Sequence, residues 1–231
     1  MEEKSKKIDS SYEKFWAKQS SHRVYPTEFV VRVFLANYPG LNFPKPEVDD
    51  RVLDVAFGDG RNTSFLCDQG LQVSGIEITQ GIVERTSNRL KALGHNADLR
   101  VGRNSRIPFD TGYFDSVLAC HCSYYCDEEE TFNDNMNEYA RVLKSGGWLI
   151  ASIADTSSYI FDSATKLADG SFRIAKDPYH NRLGYRLHGF STKTEIKSFL
   201  SHWYTNFSFG HAANDFFGID ERLYWVTCQK K

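Results

Sequence analysis

The 231-residue chain has no apolar run approaching ~18 residues, so no membrane-spanning helix is expected. Its start, "MEEKSKKIDS", is charged on both signs and lacks an apolar stretch, so it does not read as a secretory signal. The net charge is only −2, which argues against a strongly basic nucleic-acid binder. The five cysteines are an odd number without framework spacing, a pattern that fits reduced thiols in a cytoplasmic protein rather than a disulfide scaffold. Internal repeats and low-complexity tracts are also missing. What is present is a hydrophobic fraction of 41% and an aromatic fraction of 14%, enough for a sizeable core in one large or two small domains.

Residues 1–46 read as an N-terminal helical cap segment. Its first ten residues look solvated, and two short helices are expected between Ser11 and about Ala36, around a break near Pro26. The connector "NYPGLNFPKPEVDD" holds three prolines and a glycine. Residues 47–231 read as the core, with an insert at about 155–190. Strand patterns at "RVLDVAF", "LQVSGIEI", "DLRVG", "FDSVLAC" and "WLIASIA" alternate with helical patterns at 61–68, 81–93 and 128–143. The last of these helices is expected to close at "KSGG". Such alternation predicts βαβ units and a parallel sheet covered on both faces. Beyond the insert, a helix is expected over 192–203, capped by Ser191 or Thr192, followed by strands at "FSFGHA" and "RLYWVTCQ".

"VLDVAFGDGRNTSFL" is a strand running into a glycine-spaced turn and then a helix. A helix N-terminus offers free backbone N–H groups, and glycine lets a ligand come close to them. The dinucleotide fingerprint G-x-G-x-x-G is not met, because Ala56, Gly58 and Gly60 give A-x-G-x-G. A nicotinamide oxidoreductase is therefore disfavoured. Glu77 ends the next strand, about twenty residues on, where a carboxylate can accept from both hydroxyls of a ribose.

Together with "VSGIEIT", "IPFDTGYFDSVLA" and "ARVLKSGGWLIAS", this stretch resembles the successive motifs of class I S-adenosylmethionine-dependent methyltransferases over roughly residues 50–154. The resemblance implies a Rossmann-like, seven-stranded, mostly parallel sheet with helices on both faces and an antiparallel last strand. It implies S-adenosylmethionine as donor, S-adenosylhomocysteine as product, and no metal. Asp54 would open the glycine loop, with Ala56, Gly58 and Gly60 flanking the methionine moiety. Glu77 would hold the ribose, and Ile78 would pack on the adenine. Arg103 stands where the family usually has an acid facing the adenine amine, so Asn104 and Ser105 are the substitutes expected there. Cys120 completes the donor set.

"CHCSYYC" raises a zinc reading, but no second Cys or His pair lies at ligand spacing nearby. In the family, this segment forms the floor between donor and acceptor. His121 is accordingly the candidate base, with Tyr124 and Tyr125 as candidate catalytic or orienting groups. The N-terminal segment and the insert are expected to form a lid carrying acceptor contacts: Tyr12, Arg23, Tyr25, His180, Arg182, Tyr185 and Arg186. Arginine forks suit phosphate or carboxylate, so the expected acceptor is a small polar, even anionic, molecule methylated on O or N. The alternatives are an RNA or protein acceptor, or a donor-binding module without chemistry. No membrane partner is expected, nucleic acid is disfavoured, and a homodimer is compatible with the pattern.

Overall fold

Val52, Leu53 and Val55 are apolar on both faces of their strand, so that strand must be covered from both sides. They belong to β1 (Arg51–Val55), the middle of the sheet. The structure, a computed structural model, describes residues 2–18 and 24–231, with side chains from Ile8 onward. The other principal strands are β2 (Gln72–Glu77), β3 (Asp98–Val101), β4 (Phe114–Ala119), β5 (Leu143–Asp155), β6 (Tyr204–Asp215) and β7 (Asp220–Lys230). Their order across the sheet is β6-β7-β5-β4-β1-β2-β3. Pairing from β5 through β3 is parallel, and β7 runs antiparallel to both its neighbours. The expected sheet is thus present. An eighth strand of two residues, Gly189–Phe190, adds to it along the end of β5.

The helices are α1 (Glu2–Ala17), α2 (Glu28–Leu35), α3 (Arg61–Asp68), α4 (Gln80–Ala92), α5 (Phe132–Val142) and α6 (Lys193–Leu200). One face of the sheet packs Val30, Val33 and Phe34 of α2 with Phe65 and Leu66 of α3. The other packs Phe132, Met136 and Tyr139 of α5 with Ile196 and Leu200 of α6. Each such side chain contributes ~1.5–3 kcal/mol by leaving water.

Four expectations are corrected. Residues 2–10 are the first turns of α1, a helix expected to start only at Ser11. α5 begins at Phe132 rather than Glu128, because Thr131 and Asp134 form a reciprocal capping box that fixes its first turn. "KSGG" lies within β5, since the chain is already extended at Leu143 (φ −72°, ψ 141°). The insert, read as turns, joins Tyr125–Cys126 in a small antiparallel sheet through Arg186–Leu187, Phe172–Arg173 and Thr165–Lys166. At the far end, Thr192 caps α6 by accepting from the Glu195 N–H.

Candidate active site

Parallel strands finish along one edge, and there β1, β2 and β4 hand over to loops that surround a cavity of about 570 Å³. At one end, β2 delivers Glu77. Its carboxylate is buried and accepts from the Gly58 N–H (3.1 Å) and the Ile78 N–H (2.8 Å). Burial pushes its pKa up to about 7 despite these two bonds. The glycine turn fits close approach to a ligand: Gly58 has φ +56° and Gly60 φ +77°. Ala56 is also left-handed, at φ +54°, a conformation that strains a residue with a Cβ. A Cβ on Gly58 would collide with the indole of Trp16, so α1 roofs this turn. Ile78, Phe57, Tyr12 and Trp16 pack together around it.

At the other end, the turn after β4 presents His121, itself left-handed at φ +58°. Its N–H donates to Ser152 Oγ on β5 at 2.6 Å, and its ring meets Trp225 of β7 edge-on, centroids 5.6 Å apart. Burial, aided by the Arg182 and Arg61 cations, pushes its pKa down to about 4, so the imidazole is neutral near pH 7. Tyr125, Arg182, Tyr185, Tyr179 and Glu221 complete this end of the wall.

Of the expected donor residues, Ala56, Glu77, Ile78, Asn104 and Cys120 line the cavity. Gly58 touches it through its bond to Glu77. Three lie behind it. Asp54 is buried and accepts from the Thr63 hydroxyl at 2.7 Å, Gly60 is the N-cap of α3, and Ser105 is not part of the wall. Asn104 is committed internally. Its amide donates to the carbonyls of Cys122 (2.8 Å) and Tyr125 (3.1 Å) and accepts from the Tyr139 hydroxyl (2.9 Å). An adenine contact through that side chain would have to break this clamp. Arg103 is not a solvated loop charge. It bridges Asp9 of α1 (2.5 Å) and Asp127 (3.2 Å), tying the roof helix to the rim.

Of the catalytic candidates, His121 and Tyr125 line the cavity, whereas Tyr124 is buried behind it. Of the acceptor candidates, Tyr12, Arg182 and Tyr185 line it. Tyr25 and His180 are exposed and do not. Arg186 is structural: it is buried, pairs with Asp169, and donates to the carbonyls of Asp127 and Glu128. Arg23 lies outside the described residues.

The guanidinium forks on the wall are already engaged. Arg61 binds Asp59 (2.7 Å), Arg103 binds Asp9 and Asp127, and Arg182 binds Asp177 (2.8 Å) and the Tyr159 hydroxyl (2.8 Å). The physical premise for an anionic acceptor, free guanidinium groups, is therefore not met at these three positions. The thiol of Cys122 contacts the Val55 carbonyl at 3.2 Å. Among the described residues, no group of three or more His, Cys, Asp or Glu is arranged to hold a metal ion. Also among the described residues, no helix is long and apolar enough to cross a membrane.

Sequence reasoning missed Asp59, Arg61, Asp127, Asn181 and Glu221 on the wall. Trp16 belongs to the N-terminal segment expected to act as a lid, and it lies one helical turn (i, i+4) from Tyr12. Glu221 had no usable signal, since only the pairing of β7 brings it beside the β4 turn.

Comparison with known proteins agrees with this geometry. The family described as a methyltransferase domain matches residues 53–151. A demethylmenaquinone methyltransferase of Tropheryma whipplei is 33% identical over 101 residues, which are 44% of this chain and 40% of that protein. The chain thus spans about two fifths of the length of that curated relative. Among solved structures, a SAM-dependent methyltransferase from Methanosarcina mazei superposes with a TM-score of 0.64 at 23% identity, over 80% of this chain and 94% of that one. The 1,6-didemethyltoxoflavin-N1-methyltransferase of Burkholderia thailandensis, solved with 1,6-didemethyltoxoflavin and S-adenosylhomocysteine, gives 0.57 at 14% identity, over 80% and 72%. At these identities the structural likeness speaks for the fold. Residues 53–151 thus match a methyltransferase domain, and the sheet order and glycine turn are those of a class I, Rossmann-like fold.

Proposed function

We propose that this protein transfers the methyl group of S-adenosylmethionine to a small molecule. The observation that carries the reading is Glu77: a buried carboxylate at the end of β2, facing the cavity and held by the amide of the glycine turn. That placement fits a ribose, whose two hydroxyls would donate to the carboxylate. Ile78 and Phe57 supply apolar contact for the adenine, and the turn at Ala56–Gly58 gives the methionine moiety its close approach. When bound, the donor supplies an electrophilic methyl on a sulfonium. The protein's own task is to hold the acceptor in line with it and keep water out. α1 and the 155–190 insert do the covering, through Tyr12 and Trp16 on one side and Tyr179, Arg182 and Tyr185 on the other.

A cavity of about 570 Å³ lined by α1 and the insert suits a small molecule better than RNA or protein, in keeping with the small-molecule methyltransferases among the relatives. A protein with labelled donor and separate metabolite, tRNA and protein fractions provides the test. Label should appear in the small-molecule fraction, and label confined to either macromolecule would overturn the reading. Donor binding without any transfer would favour a module that has lost its chemistry.

A further inference from the structure

Glu221 is an acid on the acceptor-side wall that the mechanism above leaves unused. It stands near the start of β7, partly buried, its Oε1 4.0 Å from His121 Nδ1. That separation suits an ion pair and is too long for a hydrogen bond, but ligand-free catalytic contacts are commonly loose. The imidazole is held for such a contact. Its backbone is fixed by Ser152, its ring rests edge-on against Trp225, and Trp225 is stacked on Phe29 of α2 with centroids 3.6 Å apart. Three strands and a helix thus aim one ring. Its left-handed backbone at φ +58° is a strained conformation of the kind that recurs at functional sites.

We propose that Glu221 is a positioning residue for His121, and that together they act as a carboxylate–imidazole base for an acceptor bearing an uncharged O–H or N–H. Glu221 fixes the proton on Nδ1 and leaves the Nε2 lone pair for the acceptor. This rests on the methyl-transfer reading of the same cavity. In the step, the acceptor's proton passes to Nε2 while its lone pair forms the bond to the methyl carbon. The carbon–sulfur bond breaks and its electron pair stays on sulfur. The sulfonium's positive charge is thereby replaced by an imidazolium, which the Glu221 carboxylate stabilises.

The surrounding charges agree with a neutral acceptor. The groups facing His121 are Glu221 of β7, Arg182 of the insert and Arg61 of α3. Both arginines are already paired, with Asp177 and Asp59. With both guanidinium groups paired and Glu221 alongside, these side chains offer a carboxylate or phosphate acceptor no unpaired cation.

The test uses full-length protein labelled with nitrogen-15 at histidine, with the His121 signals assigned by their loss in His121→Ala. S-adenosylhomocysteine binding is measured alongside by calorimetry. At pH 7 with that ligand bound, wild type should show His121 protonated on Nδ1 with Nε2 free. Glu221→Ala should shift the population towards the Nε2–H tautomer, and Glu221→Gln, which keeps the shape but loses the charge, should lower the His121 pKa. Unchanged nitrogen shifts and titration in both variants, with ligand binding intact, would overturn the dyad. Failure of wild type to bind S-adenosylhomocysteine would instead overturn the donor reading, whatever His121 does.

Discussion

The two ends of the cavity are built in different ways. The donor end comes from residues close in sequence: the turn after β1, the end of β2 and the loop after β3 all fall between positions 55 and 104. The acceptor end draws on α1, the turn after β4, the insert and β7, between positions 12 and 221. The chemistry differs too. The donor end centres on Glu77, a carboxylate bonded to backbone amides, while the acceptor end has rings and arginines already matched to acids. A donor common to many enzymes can be met by local backbone geometry. A particular acceptor must be met by side chains that the fold gathers from afar.

The sharpest way to separate the two ends is His121→Ala. Turnover should fall by roughly 10²–10⁴-fold if the imidazole takes a proton, while donor affinity stays put. Equal losses in both would mean that the ends are not independent. The product carries a related signature. The transferred methyl should survive alkali as an ether or amine, because a carboxylate acceptor would give a base-labile ester.

Next in size is a pH effect confined to the donor end. On the proposed reading, ribose hydroxyls would donate to the ionised form of Glu77, whose pKa is raised to about 7 in the free protein. S-adenosylhomocysteine affinity should therefore rise with pH, by about tenfold between pH 6 and pH 8, and binding should release protons near pH 7. For the free fold the sign is opposite. Glu77 binds its proton more tightly folded than unfolded, so its contribution to stability falls as pH rises from 4.5 to about 7. Asp54, also raised to about 7 by burial, adds to the same trend from 3.8 upward. Calorimetry in buffers of different ionisation enthalpy checks the first statement, and thermal melts across pH the second.

The smallest expected effect joins the ends. Arg103→Ala removes the tie between Asp9 and Asp127, and partly exposed pairs of this kind contribute ~0.2–1 kcal/mol each. Donor affinity should drop about two- to fivefold, with a faster off-rate, because α1 carries Tyr12 and Trp16 over the turn. Unchanged off-rates would show that the roof needs no tie.

The same contrast explains what could be read from the sequence. The strands, the glycine turn and Glu77 were legible because each is written in one short stretch whose apolar pattern fixes its face. For Asn104 and Arg186, residue type says nothing about prior commitments: one is clamped by Cys122, Tyr125 and Tyr139, the other by Asp169 and two carbonyls. Arg182 lines the cavity, but its pairing with Asp177, five residues away, removes the free charge that suggested an anion. Glu221 was invisible because its neighbour His121 is 100 positions earlier and only the β5–β7 pairing brings them together.

The central claim is that Glu77 holds the donor, and titration of S-adenosylhomocysteine into wild type and Glu77→Ala at pH 8 tests it most directly. Wild type should bind one equivalent, with no comparable binding of NAD. The variant should lose ~1–3 kcal/mol, a drop of about five- to 150-fold, because the ribose hydroxyls lose their acceptor. Equal affinity in the two proteins would contradict the account.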